Sequence, residues 1–307
     1  MSWSELNTHH WDDWSMAELV AAKRGQRVSL VVPARNEAAT VGDLISKLRT
    51  SLMETADLVD ELVVIDSDST DDTARIASDA GAAVYASAAI RPDLGTFPGK
   101  GEAMWKSQFV TTGELIVFMD ADLTDWDTHF VRGLLGPLVN NPTIELVKGF
   151  YRRPGEHGLD GGRVTELVAR PLLALHRRPL RDLIQPLAGE WSIRRSLFER
   201  LSVPTGYGVE LAALVDTLDT RGMDVIAQVD LGQRDHSHQD LFDLGLMATQ
   251  IVGMMSRRLG TGPSGDDVEM KQYVPIDGST KTVDRTVSLL ERPPVRDGAI
   301  SATDRVG

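Results

Sequence analysis

The sequence predicts an open α/β fold, a mostly parallel sheet with helices on both faces, and three observations carry that prediction. The unbroken apolar run at residues 115–119 and the mostly apolar stretch at 28–32 have the character of strands buried on both sides. Between the strand candidates lie stretches with apolar residues at helical spacing, and strand–helix alternation at this interval calls for parallel crossovers. Three strand candidates end abruptly in polar clusters, at 33–37, 66–69 and 120–122. Parallel neighbours bring those clusters to one edge of the sheet, where open α/β sheets bind their ligands.

Residues 1–27 read as a polar lead-in with a short helix around 16–23. The strand at 28–32 runs into Pro33-Ala34-Arg35-Asn36-Glu37, and Pro33, which has no N–H, is expected to end the ladder. Val41, Leu44, Ile45 and Leu48 then define an amphipathic helix. A second strand at 61–65 leads into a Ser/Thr/Asp run suited to a helix N-terminus, and the helix at 71–80 is expected to stop at Gly81. A short strand at 83–86 and a Pro- and Gly-rich loop at 90–101 precede a helix entered at Glu102. After the strand at 115–119, another is expected at 145–151. Val164, Leu167, Val168 and Leu172 mark a helix with a break at Pro171. Val209, Leu211, Leu214, Val215 and Leu218 mark a further helix ending near Gly222, followed by a strand at 225–231 and a long apolar helix at 241–259. The Gly, Ser, Thr and Asp of 260–285 predict a mobile loop.

Composition narrows the class. Hydrophobic residues form 42% of the 307, enough for a substantial core. The balance of 32 Lys and Arg against 45 Asp and Glu gives a formal charge of −13, which argues against a nucleic-acid surface. A small anionic substrate stays compatible where the few basic residues gather. The absence of cysteine excludes disulfides, thiolate metal sites and cysteine nucleophiles, and is compatible with the cytoplasm. No apolar run approaches a membrane span, and MSWSELNTHHWDDW lacks a signal-peptide core.

Asp120 and Asp122, with Ala121 between them, directly follow an apolar strand. Oxygen ligands so placed suit Mg2+ or Mn2+, ions that commonly bridge a pyrophosphate; an Asp-rich turn is the plainer alternative. Asp66 is placed for a base or ribose, and Asn36 offers both a donor and an acceptor, against simple capping for Ser69, Thr70 and Asp72. In Pro98-Gly99-Lys100-Gly101-Glu102 a lysine stands between glycines at a helix start, a phosphate-binding arrangement without P-loop spacing. Gly161-Gly162-Arg163, with Thr165, repeats that logic with a guanidinium fork. His236 and His238 face one way if the chain there is extended. His236 can then supply nitrogen to a metal held by Asp122, while His238 reads as a surface histidine. Glu210, after the glycine-bracketed Tyr207, can bind sugar or acceptor hydroxyls or cap its helix.

The segments VVPARNEAAT, DSDSTDDT, PGKGEAMW, FMDADL, LVKGFYRRP, GGRVTELVARPLL, QPLAGE, GYGVE and IAQVDLG resemble those of GT-A-type glycosyltransferases. More closely, they resemble the retaining glucosyl-3-phosphoglycerate synthases of actinobacteria and their mannosyl-3-phosphoglycerate relatives, over about residues 28 to 250. The resemblance implies a GT-A fold: a lead-in (1–27), a nucleotide-sugar-binding half (28–150), an acceptor-binding half (151–259), and a flexible loop and tail (260–307). It implies that Pro33, Ala34, Arg35, Asn36, Glu37, Ser67, Lys100 and the Asp120–Ala121–Asp122 triplet meet the nucleotide, with Asp122 and His236 on Mg2+ or Mn2+. Gly162, Arg163 and Thr165 would hold the phosphoglycerate, and Tyr207, Glu210 and His238 would face the sugar or acceptor. The implied reaction moves glucose from a nucleotide sugar, UDP-glucose ahead of GDP-mannose, to the 2-hydroxyl of 3-phosphoglycerate with retained configuration. A front-face displacement is expected, Asp120 and Asp122 serving catalysis, with Glu210 as the alternative covalent nucleophile. A homodimer is implied as well. Two departures stand out: the linker from Tyr151 to Gly161 is shorter than in mycobacterial members, and His238 replaces an asparagine. A nucleotidyltransferase would want a glycine-rich loop after the first strand, which PARNE is not. A non-catalytic nucleotide-sugar sensor would have no need of Asp120, Asp122 and His236 together.

Overall fold

The computed structural model describes residues 1–152, 154–155, 158–159, 162–234 and 240–296. An eight-stranded sheet forms its middle layer: β1 (Thr8–His10), β2 (Val28–Ala34), β3 (Glu61–Asp66), β4 (Ala83–Ala86), β5 (Leu115–Phe118), β6 (Leu146–Arg152), β7 (Trp191–Arg194) and β8 (Ile226–Gln233). Their spatial order is β1-β8-β6-β7-β5-β2-β3-β4. All neighbours run parallel except at β7, which is antiparallel to both β5 and β6. The helices used below are α1 (Met16–Lys23), α2 (Val41–Arg49), α3 (Thr73–Asp79), α4 (Lys100–Ser107), α5 (His129–Asn140), α6 (Arg170–His176), α7 (Val209–Arg221) and α8 (Leu241–Arg258).

Two separate cores follow from the period-2 alternation of the strands. Leu115 and Val117 of β5 point into one, with Leu19 of α1, Leu44 and Ile45 of α2, Ala77 of α3 and Leu134 of α5. Ile116 and Phe118 point into the other, with Met104 and Trp105 of α4, Leu173 of α6, Leu214 of α7 and Met254 of α8. A strand buried on both faces therefore reads as an unbroken apolar run, as the sequence of β5 does. The predicted three-layer α/β fold is present.

Four departures have physical reasons. First, β2 continues through Pro33: pairing with β5 ends at Val31, but Pro33 and Ala34 still pair with Ile65 and Asp66 of β3. A proline is tolerated where its missing N–H would have faced a ladder that has already ended. Second, the lead-in contributes β1, which extends the sheet beside β8. Third, β7 fills a span with no strand expected, its apolar–polar alternation lasting only the four residues Trp191 to Arg194. Fourth, the expected loop at 260–285 is corrected: Asp267–Ile276 and Ser279–Ser288 form an antiparallel hairpin. Its turn is Asp277-Gly278, with Gly278 at φ 70, a two-residue hairpin signal outweighed by the polar composition around it.

Elsewhere the punctuation holds. Gly81 and Gly222 take φ 99 and 88 at their helix ends. The break near Pro171 takes the form of a π-helical turn over Thr165–Ala169, after which Pro171 sits in the first turn of α6, where no N–H is needed.

Candidate active site

The three polar strand ends do lie together, and the first two interlock. Asn36 adopts a left-handed φ of 58, donates its N–H to Ser69 Oγ at 2.9 Å, and accepts with Oδ1 from the Thr70 N–H at 2.8 Å. Glu37 N–H donates to Thr73 Oγ1 at 2.8 Å, and Ser67 N–H to the Ala34 carbonyl at 2.9 Å. Asn36 therefore spends its amide oxygen on the loop itself. Arg35 is exposed, whereas Asp66 is buried with one carboxylate oxygen accepting from Ser69 N–H at 3.3 Å and Oδ1 without a partner. A buried acceptor left open at a strand end invites a ligand donor.

The third strand end carries the charge. Lys100, at the first position of α4, lies 2.5 Å from Asp120 Oδ1 and 2.7 Å from Glu210 Oε1, which is in the first turn of α7. Arg234, just past β8, sits 3.3 Å from Asp120 and 3.4 Å from Asp122, while its other nitrogen lies 2.9 Å from Glu190 and donates to Tyr151 Oη at 2.5 Å. Thr40 Oγ1 donates to the Ala121 carbonyl at 2.8 Å and fixes the turn between the two aspartates. Lys148 lies fully buried on β6, donating to the Ala188 carbonyl at 2.5 Å.

Glycines make this crowding possible. Gly99 takes φ 133 and, like Gly101, lies so close to the Pro204–Thr205 backbone that any side chain would collide with it. A Cβ on Gly189 would run into the Asp120 carboxylate. Gly189→Ala is accordingly expected to displace Asp120, lower stability by about 1–3 kcal/mol and cut turnover at least about tenfold. Thermal unfolding and initial rates measure both; unchanged rates would show that Asp120 has slack.

Charge is out of balance here. Burial works against the charge on Lys100, yet Asp120 and Glu210 hold its ammonium above the ordinary range. Burial likewise opposes ionisation of Asp120, but Lys100 and Arg234 keep its carboxyl well below the usual carboxylate value. The other acids go the opposite way. Glu37 is pushed up to about 7 by burial and then by Asp122, Asp120 and Asp71. Asp122 is raised by burial and by Asp120, and Glu190 by burial, with Asp120 and Asp122 adding to it. Burial lowers the Lys148 ammonium to about 8. Negative charge thus exceeds what Lys100 and Arg234 neutralise, the condition that a divalent cation relieves. Among the described residues no group of three acids or histidines could encircle an ion, so Asp122 would share one with outside oxygens such as phosphate. The donor set fits Mg2+ or Mn2+ on those terms.

Of the sequence-predicted residues, Lys100, Asp120, Asp122 and Glu210 converge, with Glu37 electrostatically coupled to them. Tyr207 is half exposed, its N–H donating to Gln250 Oε1 at 2.9 Å. Gly162, Arg163 and Thr165 open the helix that ends in α6 and packs against α8. Gly161, His236 and His238 lie outside the described residues. Sequence reasoning gave no role to Tyr151, Lys148, Gly189, Glu190 or Arg234, although QPLAGE and the run after β8 held three of them.

A sheet of this order with an acidic pair and a lysine at its C-terminal edge defines a GT-A-type glycosyltransferase. The model of the family "Glycosyl transferase family 2" matches residues 29–201, and the chain belongs to that family. It is 46% identical to the glucosyl-3-phosphoglycerate synthase of Mycolicibacterium smegmatis over 298 residues, covering 94% of this chain and 96% of that one. It is 40% identical to the Petrotoga mobilis enzyme of the same name, covering 92% and 86%. It also resembles the Mycobacterium tuberculosis glucosyl-3-phosphoglycerate synthase solved with Mg2+ and uridine diphosphate: TM-score 0.86, 44% identity, covering 95% and 99% of the two chains. A second structure of that enzyme, holding Mn2+, UDP-glucose and phosphoglyceric acid, gives a TM-score of 0.84 at 43% identity, covering 94% and 98%.

Proposed function

We propose that the chain is a glucosyl-3-phosphoglycerate synthase, transferring glucose from UDP-glucose to the 2-hydroxyl of 3-phosphoglycerate with retention, with Mg2+ or Mn2+ as its ion. The observation that carries this reading is similarity along nearly the whole length of both chains to enzymes of that name. When bound, the ion neutralises charge that develops on the departing diphosphate. Asp122 would hold it, with His236 as the expected second protein ligand. Lys100 would face the diphosphate, its ammonium kept charged by Asp120 and Glu210. The open Asp66 oxygen and the locked Pro33–Glu37 and Ser67 turns would take the nucleoside. Glu210 is held by Lys100 in an ion pair, which favours it as an orienting group over a nucleophile. Front-face displacement then needs only the leaving phosphate oxygen to accept the acceptor's proton.

Gly162, Arg163 and Thr165 would bind the phosphate of 3-phosphoglycerate. Arg163→Ala is expected to raise the KM for 3-phosphoglycerate about tenfold to a hundredfold with little change in UDP affinity, the effect of losing a charge-assisted fork. Loss of donor affinity instead would exchange the two anion sites. The same reading divides the chain into a nucleotide-sugar half at 28–150 and an acceptor half at 151–259. It takes the protein as a cytoplasmic homodimer, and light scattering checks the oligomeric state. No helix among the described residues is long and apolar enough to cross a membrane.

The decisive experiment measures UDP release from UDP-glucose with and without 3-phosphoglycerate, with GDP-mannose in parallel, and reads the anomeric coupling of the product by proton NMR. Release that depends on 3-phosphoglycerate, with an α-linked product, is expected. A β-linked product would overturn retention.

A further inference from the structure

The dipeptide Glu291–Arg292 grips two helices at once. Arg292 forks onto Glu102, Nε to Oε2 at 2.7 Å and Nη2 to Oε1 at 2.5 Å, and also donates to the carbonyls of Leu94 at 2.8 Å and Gly95 at 3.0 Å. Its guanidinium lies between the rings of Phe97 and Trp105, 4.5 and 4.6 Å from their centroids. Both members of the pair are buried. One residue earlier, Glu291 accepts from Arg258 Nη1 at 2.7 Å, and Arg258 forks onto Asp216 at 2.7 Å through each of two nitrogens.

The far ends of these contacts matter. Glu102 lies on α4, whose first residue is Lys100, and Asp216 lies on α7, whose first turn carries Glu210. Two further bonds hold the segment, Thr205 N–H donating to the Leu290 carbonyl at 3.0 Å and the Trp105 indole Nε1 to the Pro293 carbonyl at 2.9 Å, while Glu102 N–H donates to the Thr205 carbonyl at 2.9 Å. For stability alone, apolar packing serves as well as a buried ion pair. What forked pairs add is a fixed angle and register.

We propose that Glu291–Arg292 is a positioning clamp, setting Lys100 against Glu210 from residues that touch no substrate. The inference rests on the reading that Lys100 faces the donor diphosphate.

The test uses the full chain with Mg2+: UDP binding by calorimetry and steady-state rates for Arg292→Met, Arg292→Lys and the control Arg195→Met. Arg195 is an equally buried arginine that holds the Gly113 and Gln108 carbonyls, away from the site. With Arg292→Met, UDP affinity and kcat are each expected to fall about tenfold at temperatures where the variant is folded, with the KM for 3-phosphoglycerate unchanged. Arg292→Lys, which keeps the charge without the fork, should lie between, and decides alone if the methionine variant does not fold. Arg195→Met should lower Tm without moving kcat or UDP affinity. Affinity and kcat within about twofold of wild type in the Arg292 variants, or equal losses in the control, would overturn the clamp. A wild type that binds UDP yet transfers nothing to 3-phosphoglycerate would overturn the proposed reaction while the UDP arm still decides the clamp. A wild type without UDP affinity would overturn both.

Discussion

Asp122→Ala is expected to lower glucosyl transfer by about a hundredfold to a thousandfold, the scale of losing a group that acts on developing charge. The fold should survive, because Asp122 sits beyond the end of β5 and not in either core. Stability adds a sharper sign. Burial and Asp120 raise the Asp122 carboxyl in the folded state, so its contribution is fully present below the unfolded value and is lost as pH rises through the folded one. At neutral pH the metal-free wild type therefore carries a penalty that the variant lacks. The variant should melt at or above the metal-free wild type and lose the shift in Tm that Mg2+ and UDP produce together. A normal metal-dependent shift in the variant would remove Asp122 from the ion.

Lys100→Met should hurt in two ways. It leaves Asp120 and Glu210 facing each other across a mostly buried gap without the cation that separates them, and unpairing a buried partner costs about 3–5 kcal/mol. That is a large share of the roughly 5–15 kcal/mol that holds a domain together. Asp120 is held low in the wild type, so the stability it contributes is present above its unfolded value and lost only as pH falls through the folded one. In the variant Asp120, freed of the Lys100 ammonium, can take up a proton as pH falls, so the difference in Tm from wild type should shrink from pH 7 to pH 4. Adding Glu210→Gln should recover stability but not UDP affinity. Recovery of both would make Lys100 a structural lysine.

How much of this was readable in advance depended on how local the cause was. The β2, β3 and β5 strands, their helices and the Gly81 and Gly222 stops were legible because apolar period and turn chemistry act over a few residues. Lys100, Asp120, Asp122 and Glu210 could be picked out, since each sits beside a strand end or a helix start. Glu190 and Arg234 could not. Their meaning lies in a 2.9 Å ion pair between residues 44 positions apart. The strand β7 was hidden for a similar reason: WSIR alternates apolar and polar over only four residues, and it is held by β5 and β6 on either side. Arg292 looked like part of a tail, and only the folded chain brings it to Glu102, 190 positions away.

The pairing of β1 with β8 bears on how the chain folds as it is made. Thr8 and Gln228 are bonded across 220 positions. At the pace of synthesis, roughly 5–20 residues per second, the Thr8–His10 segment emerges some tens of seconds before the strand it will join. Until then Trp3, whose Nε1 donates to the Met223 and Ile226 carbonyls at 3.1 Å each, has no native seat. A nascent chain stalled before residue 226 should hold this segment open to protease and to chaperones, and release from the ribosome should close it.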